Sequence, residues 1–252
     1  MIRHFLMAIL LVGATASSGV GAPIALQEAT ATVSSIFLGD WFASKMIDGD
    51  FSTGLLSGWS IYDAGDGSTV AQTAVFETVA DQGFGGGSLF TFTLSQLYAA
   101  DIQHTVGRFR ISLTTDDRSL FADGLQTGGD VTANWTVLTP LAALGTGGET
   151  FTILGDGSVL VGGALPNQSV YTMTALTLLT GITGIRLEVM EDPSLPTNGP
   201  GRFPANGNFV LTEFQVDSNQ VASEVPEPST LSLFLAGCAG FGLSRRLNAR
   251  RK

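Results

Sequence analysis

The chain has 252 residues, 44% of them hydrophobic and only 13% charged, with a formal net charge of −10 at pH 7, 32 glycines and one cysteine. Charged residues fall well below the roughly 25% usual for soluble domains and glycine is near twice its usual share, so turns are many and helices few. One cysteine excludes a disulfide framework and a cysteine-built zinc site, and two histidines, one of them His4 in the leader, leave little for imidazole chemistry. Between Leu26 and Glu224 six basic residues face 21 acidic ones, a net of −15. Six cations cannot build the basic groove that a phosphate backbone requires, so nucleic acid is not a partner of this chain.

In chain order, residues 1–25 read as a secretory signal peptide: Arg3 is the positive start, Phe5 to Val12 the apolar run, and small residues follow. Cleavage sites are available after Ala16, Ala22 or Ala25. The run is far short of the roughly 20 residues a membrane span needs, so the signal helix is removed and the body exported through the export machinery. Residues 26–39 read as a linker. From 40 to 217 the segments alternate apolar and polar with period two, separated by Gly, Asn, Asp or Pro clusters, the pattern of half-buried antiparallel strands. Phe90, Phe92 and Leu94 alternate with Thr91, Thr93 and Ser95; Phe109, Ile111 and Leu113 with Arg110 and Ser112; Ile185, Leu187 and Val189 with Arg186 and Glu188; Val210, Phe214 and Val216 share a face. About eight such segments predict an all-β fold, an antiparallel jelly-roll β-sandwich. Leu138 to Leu144 reads as a short helix or loop. The body is long enough to bury a substantial core without staples.

Within the body each candidate site competes with a plainer explanation. Asp48, Asp50 and Thr53, with Gly49 between, supply oxygens of the kind calcium takes in a turning loop, or form an ordinary solvated Asp-Gly turn. Gly83 to Gly87 has the glycine content of a phosphate loop, but the next segment reads as strand rather than helix, which makes it a hairpin turn. His104 has Asp101, Ser112 and Asp116 nearby in sequence but no Gly-x-Ser-x-Gly turn, so its role is structural. The acid pairs Asp116–Asp117 and Glu191–Asp192 are adjacent in sequence, a spacing that usually points two carboxylates to opposite sides of a strand, whereas glycoside hydrolysis needs both flanking one cleft. Arg202 and Asn206 lie in a turn-rich loop before the last long strand. Arg202 has the planar fork to hydrogen-bond a sugar hydroxyl or carboxylate, or pins that loop to a neighbouring acid or carbonyl. Trp41, Trp59 and Trp135 are the aromatic candidates for stacking on a sugar, and each also suits the core.

The other end is more specific. After a linker at 218–224 come Val225, Pro226, Glu227 and Pro228, a 13-residue apolar run from Leu231 to Leu243, and then Arg245, Arg246, Arg250, Arg251 and Lys252. As a C-terminal hydrophobic helix that run spans about 20 Å, against a hydrocarbon core of roughly 30 Å, which makes it a transient membrane stop. The two prolines keep the preceding peptide extended, and the arginines stay on the cytoplasmic side. Leu235-Ala236-Gly237-Cys238 imitates a lipobox but lies at the wrong end of the chain for one.

Residues 225–252 resemble the PEP-CTERM sorting signal, whose Pro-Glu-Pro matches Pro226, Glu227 and Pro228. The resemblance implies processing by an exosortase-type membrane transpeptidase, transient anchoring in the inner membrane, and a final place at the cell surface or in an exopolysaccharide matrix. The segments Ser88 to Arg118 and Gly181 to Val216 look like a discoidin-like domain of the galactose-binding jelly-roll superfamily. In discoidin-type lectins an Asp-Gly loop and a Glu of the final strand hold a structural calcium, and the matching residue here is Glu213, unless Arg186 or Arg202 pairs with it instead. These features together predict a non-catalytic exported surface or matrix protein that binds polysaccharide through its jelly roll. A matrix component without ligand and a glycan-acting enzyme are the alternatives.

Overall fold

The computed structural model describes residues 21–63, 65, 69–98 and 103–221. The leader over 1–20, the sorting residues Val225, Pro226, Glu227 and Pro228, and Arg245 and Arg246 lie outside the described residues.

Strong alternation places strands where the sequence demands them. β4 (Ser88–Gln96) buries Phe90, Phe92 and Leu94 and turns Thr91 and Thr93 outward. β5 (Arg108–Thr114) buries Phe109, Ile111 and Leu113, and β11 (Ile182–Val189) buries Ile185, Leu187 and Val189. These faces meet across two antiparallel sheets, and alternate positions along each strand therefore supply one continuous core.

The remaining strands are β1 (Ala22–Pro23), β2 (Leu26–Ala31), β3 (Gln72–Gln82), β6 (Thr136–Val137), β7 (Pro140–Gly145), β8 (Glu149–Ile153), β9 (Val159–Gly163), β10 (Ser169–Thr177) and β12 (Glu213–Gln220). One sheet has the order β1-β12-β4-β10-β7, and the other β2-β3-β11-β5-β9-β8 with β6 on β5. From β3 to β5 and from β9 to β12 successive strands switch sheets, which makes the body an all-β jelly-roll sandwich. Among the described residues no helix is long and apolar enough to cross a membrane.

Three expectations differ from the structure. The segment read as a linker over 26–39 contributes β2, which pairs with β3 and buries Ala29 and Ala31. Its small side chains give little hydrophobic pattern even where they are fully enclosed. Leu138 to Leu144 is neither helix nor loop: Pro140–Gly145 is an edge strand on β10, where the proline at its first position costs no ladder bond. The linker read over 218–224 is strand as far as Gln220, which pairs with Ser88.

β4 and β12 run antiparallel along the whole sandwich, so their ends define the two ends of the body. Ser88 and Gln220 lie at one end, Ser95 and Glu213 at the other. The chain enters beside its exit: Ala22 pairs with Ser218, and Val221 N–H donates to Gly87 O at 3.0 Å.

Candidate functional site

A cavity of about 290 Å³ opens at the end marked by Gln96 and Glu213. Its aromatic wall comes from segments outside the strands. Trp41 stands edge-on to Tyr98 at 5.1 Å, Tyr98 edge-on to His104 at 5.6 Å, and His104 stacks on Phe203 at 4.1 Å with the rings 18° apart. Phe37 and Tyr62 form a second edge-to-face pair at 5.3 Å. Such geometries suit the ring quadrupoles and hold each ring with little freedom. Partial burial raises the Tyr98 phenol above its ordinary pKa, so it stays protonated and can donate or accept a hydrogen bond.

Local sequence explains how Phe203 is presented. Gly201 N–H donates to Gly207 O at 2.7 Å, and Gly207 N–H to Phe203 O at 2.8 Å, closing the loop on itself. A Cβ at Gly201 would lie 2.1 Å from the Asn208 carbonyl oxygen, so only glycine permits this approach. The polar border is equally fixed. Asn208 exchanges hydrogen bonds with the Ser60 hydroxyl at 3.0 and 3.1 Å, while Asn206 Oδ1 accepts from Asn208 N–H at 3.0 Å. None of the described residues lining the cleft is Asp, Glu, Lys or Arg. Ile36, Leu38 and Leu55 are 74%, 74% and 68% exposed on the loops at this end.

The sequence candidates are scattered relative to this cleft. Asn206 borders it and Trp41 forms part of its wall. Trp59 is fully buried, its indole N–H donating to Val33 O at 3.1 Å. Trp135 lies on the outer side of the second sheet, against Phe121 and under the Arg186 guanidinium. Arg202 is buried and lines a separate cavity, where Nη2 donates to Gly163 O at 3.0 Å and Ala164 O at 2.8 Å. Phe37, Tyr62, Tyr98 and Phe203 were missed by sequence reasoning. Their signal is that they are aromatics off the period-two pattern, in turn segments that need none for the core.

The calcium candidates partly converge. Glu213, 5% exposed, shares a cavity of about 370 Å³ with Asp48 and Gly49. Arg186 is occupied with Glu188 at 3.2 Å and Arg202 with carbonyls, so neither neutralises Glu213. Glu213 Oε2 has no hydrogen-bond partner among the described residues. Burial, reinforced by Asp48 and then Asp50, pushes its carboxyl up to about 7, against a backbone hydrogen bond from Gly49. Asp50 is turned toward Ser52, accepting from its N–H at 2.9 Å and its hydroxyl at 3.0 Å, and neither Asp50 nor Thr53 lines the cavity. No group of three or more His, Cys, Asp or Glu converges as a metal set among the described residues. An orphaned buried carboxylate oxygen beside a second acid nonetheless fits a cation that completes its shell from carbonyls and water.

Several solved structures are similar to this chain, two of them glycoside-hydrolase components at low identity. One is from the Streptococcus pneumoniae beta-galactosidase BgaA, at 15% identity and TM-score 0.44, covering 79% of this chain and 99% of that one. The other is CBM32-3 from a family 31 glycoside hydrolase of Clostridium perfringens, at 12% identity and TM-score 0.41, covering 77% of this chain and 96% of that one. No curated protein matches the sequence. Residues 224–251 match the PEP-CTERM protein-sorting motif. With Pro226-Glu227-Pro228, the short apolar run and the basic end all inside that match, the chain is an exported protein that carries a PEP-CTERM sorting signal and is held transiently in the membrane by its C-terminus.

Proposed function

We propose that the exported body is a non-catalytic binding module that holds a neutral sugar unit of a polysaccharide in the cleft walled by Trp41, Tyr98, His104 and Phe203. The single observation that carries this reading is the composition of the cleft: fixed aromatic faces beside the carboxamides of Asn206 and Asn208, with no charged residue among the described lining. Sugar rings bury their C–H faces on aromatic rings and present hydroxyls to amide groups, so this chemistry suits them. Hydrolysis would need two carboxylates about 5–10 Å apart across the bond, and the described residues of the lining offer neither. A glycan array probed with the exported protein tests the proposal. Binding to neutral glycans that is lost in Tyr98→Ala supports it. Absence of binding across the array favours a structural matrix component, and turnover of a polysaccharide would make the protein an enzyme.

The same body is proposed to carry a structural calcium between Glu213 and the Asp48 loop, supported by the unpartnered Glu213 Oε2. Exosortase processing near Pro228 frees the body for a place at the cell surface or in the extracellular matrix.

A further inference from the structure

The mouth of the cleft carries a surface that a bare sugar ring does not use. Leu38 and Leu55 line the same cavity as Asn206 and Asn208, yet they are 74% and 68% exposed, and Ile36 beside Leu38 is 74% exposed. Turn tips ordinarily carry Gly, Asn, Asp or Ser, whereas this one reads Ile36-Phe37-Leu38-Gly39. Leucine also stands there against backbone preference. Leu38 has a φ of +61°, in the left-handed region where a side chain crowds its own carbonyl and which glycine and asparagine accept far more readily.

The strained turn is held in place. Gly39 N–H donates to Ile36 O at 3.2 Å and Trp41 N–H to Ser35 O at 3.0 Å, while the Trp41 indole N–H donates to Phe37 O at 2.7 Å. The ring that walls the cleft thus also clamps the turn. Leu56 lies over Gly39, where a Cβ would come within 2.6 Å of Leu56 Cδ1, so this turn is locked to its neighbour. That neighbour is closed in turn by the Ser57 hydroxyl, which donates to Gly54 O at 2.8 Å. Two leucines are therefore fixed at the cavity mouth instead of being folded away from water, and local strain of this kind gathers at ligand clamps.

What meets them follows from what they share a cavity with. An apolar group over Leu38 and Leu55 is within reach of the ligand whose hydroxyls meet the carboxamides, so one molecule supplies both. A free sugar hydroxyl gains nothing from a leucine, but the alkyl part of an ester does. A carboxylate substituent is disfavoured, because Asp40 and Asp63 adjoin the lining residues Trp41 and Tyr62, and no described lining residue is a cation.

We propose, resting on the sugar-binding reading, that the cleft selects a neutral sugar carrying an O-acyl ester: the rings and carboxamides take the sugar, and Leu38 and Leu55 take the acyl group. Ile36 continues the same surface for a chain longer than acetyl.

The test immobilises a panel of neutral polysaccharides, acetylated glucomannan and galactoglucomannan among them, each in its native form and after mild alkaline de-O-acetylation. The exported protein is compared with a Leu38→Asn, Leu55→Ser double variant. Asparagine tolerates the left-handed backbone and both positions are strongly exposed, so the variant keeps the fold. The expected result is retention of an acetylated polymer about ten-fold or more tighter than its de-acetylated partner, with the gap lost in the variant while binding to the de-acetylated polymer persists. Equal retention of both forms overturns the proposal and leaves the sugar-binding reading standing. A gap that survives in the variant also overturns it, because the acyl group then sits elsewhere. Retention of no polymer overturns both. A ligand-free dimer that the variant converts to monomer in sedimentation assigns the leucines to a second copy and overturns the proposal as well.

Discussion

Phe37, Trp41, Tyr62, Tyr98 and Phe203 surround a polar border at one end of the sandwich, while Phe84, Leu176 and Leu178 stand at the other, near the Asp81–Arg118 ion pair at 2.9 Å. Both ends expose apolar surface on turn segments. At the cleft end each ring is fixed against another ring, and amide groups sit beside them, so a ligand must match both shape and hydrogen bonding. At the tail end the exposed side chains present area without such a frame. Selectivity thus comes from what accompanies the apolar side chains rather than from how many there are.

The largest expected effect tests why the second end matters at all. Replacing Pro226, Glu227 and Pro228 with alanine removes the sorting motif, and the protein should remain uncleaved in the membrane fraction. An unchanged mature mass by mass spectrometry would refute the assignment of processing to this motif. Next in size, Phe203→Ala takes away the ring on which His104 stacks and should weaken glycan binding by about ten-fold or more, equivalent to about 1.4 kcal/mol. Leu178→Ser should leave that affinity unchanged. If both substitutions weaken binding equally in titration calorimetry, the two ends are not separate in function.

Smaller effects concern the Glu213 cavity. With calcium at about a hundred times its dissociation constant, chelation should lower the melting temperature by roughly 5 to 10 °C, and Glu213→Gln should abolish the difference. Without metal, the raised Glu213 pKa of about 7 means that the folded body binds a proton more tightly than the unfolded chain does. Its contribution to stability is then fully present below the ordinary carboxylate pKa and is lost as pH rises through about 7. Chelated protein should accordingly melt lower at pH 8 than at pH 5, with a shallower slope in Glu213→Gln; differential scanning calorimetry distinguishes the cases. Smallest of all, Leu178→Ser should change body stability by no more than about 0.5 kcal/mol in denaturant melts, since the side chain is 83% exposed.

Central strands were legible because their neighbours enclose them on one face and water on the other. That condition imposes the Phe-Thr-Phe-Thr-Leu alternation of β4 and the Ile-Arg-Leu-Glu-Val alternation of β11. Edge strands escape the rule. β2 is built from Leu-Gln-Glu-Ala-Thr-Ala, β7 from Pro-Leu-Ala-Ala-Leu-Gly, and small residues pack at an edge without leaving a pattern. The cleft was less legible still, because its rings come from loops whose proximity only the folded sheets create. Asn206 and Trp41 belong to it, but the Arg202 fork faces the carbonyls of Gly163 and Ala164. Glu213 could be singled out through the family resemblance, yet the encounter with Asp48 depends on the start of β12 lying against the 47–49 turn, a long-range contact.

β12 joins the two ends, and its placement sets how the body bears tension. The strand runs from Glu213 beside the cleft to Gln220 beside the exit, paired with β4 in unbroken register over all eight of its residues and with β1 near its far end. If the cleft holds polysaccharide as proposed, a pull on Val221 resisted there acts along the axis of β12. Its ladder with β4 is then loaded in shear, with many hydrogen bonds strained together, instead of opening one pair at a time from the end. The rate of forced unfolding governs survival under such a load, and this orientation slows that rate without requiring a larger equilibrium stability. Under the proposed function, a load between the cleft and Val221 therefore falls along the direction in which this ladder resists most.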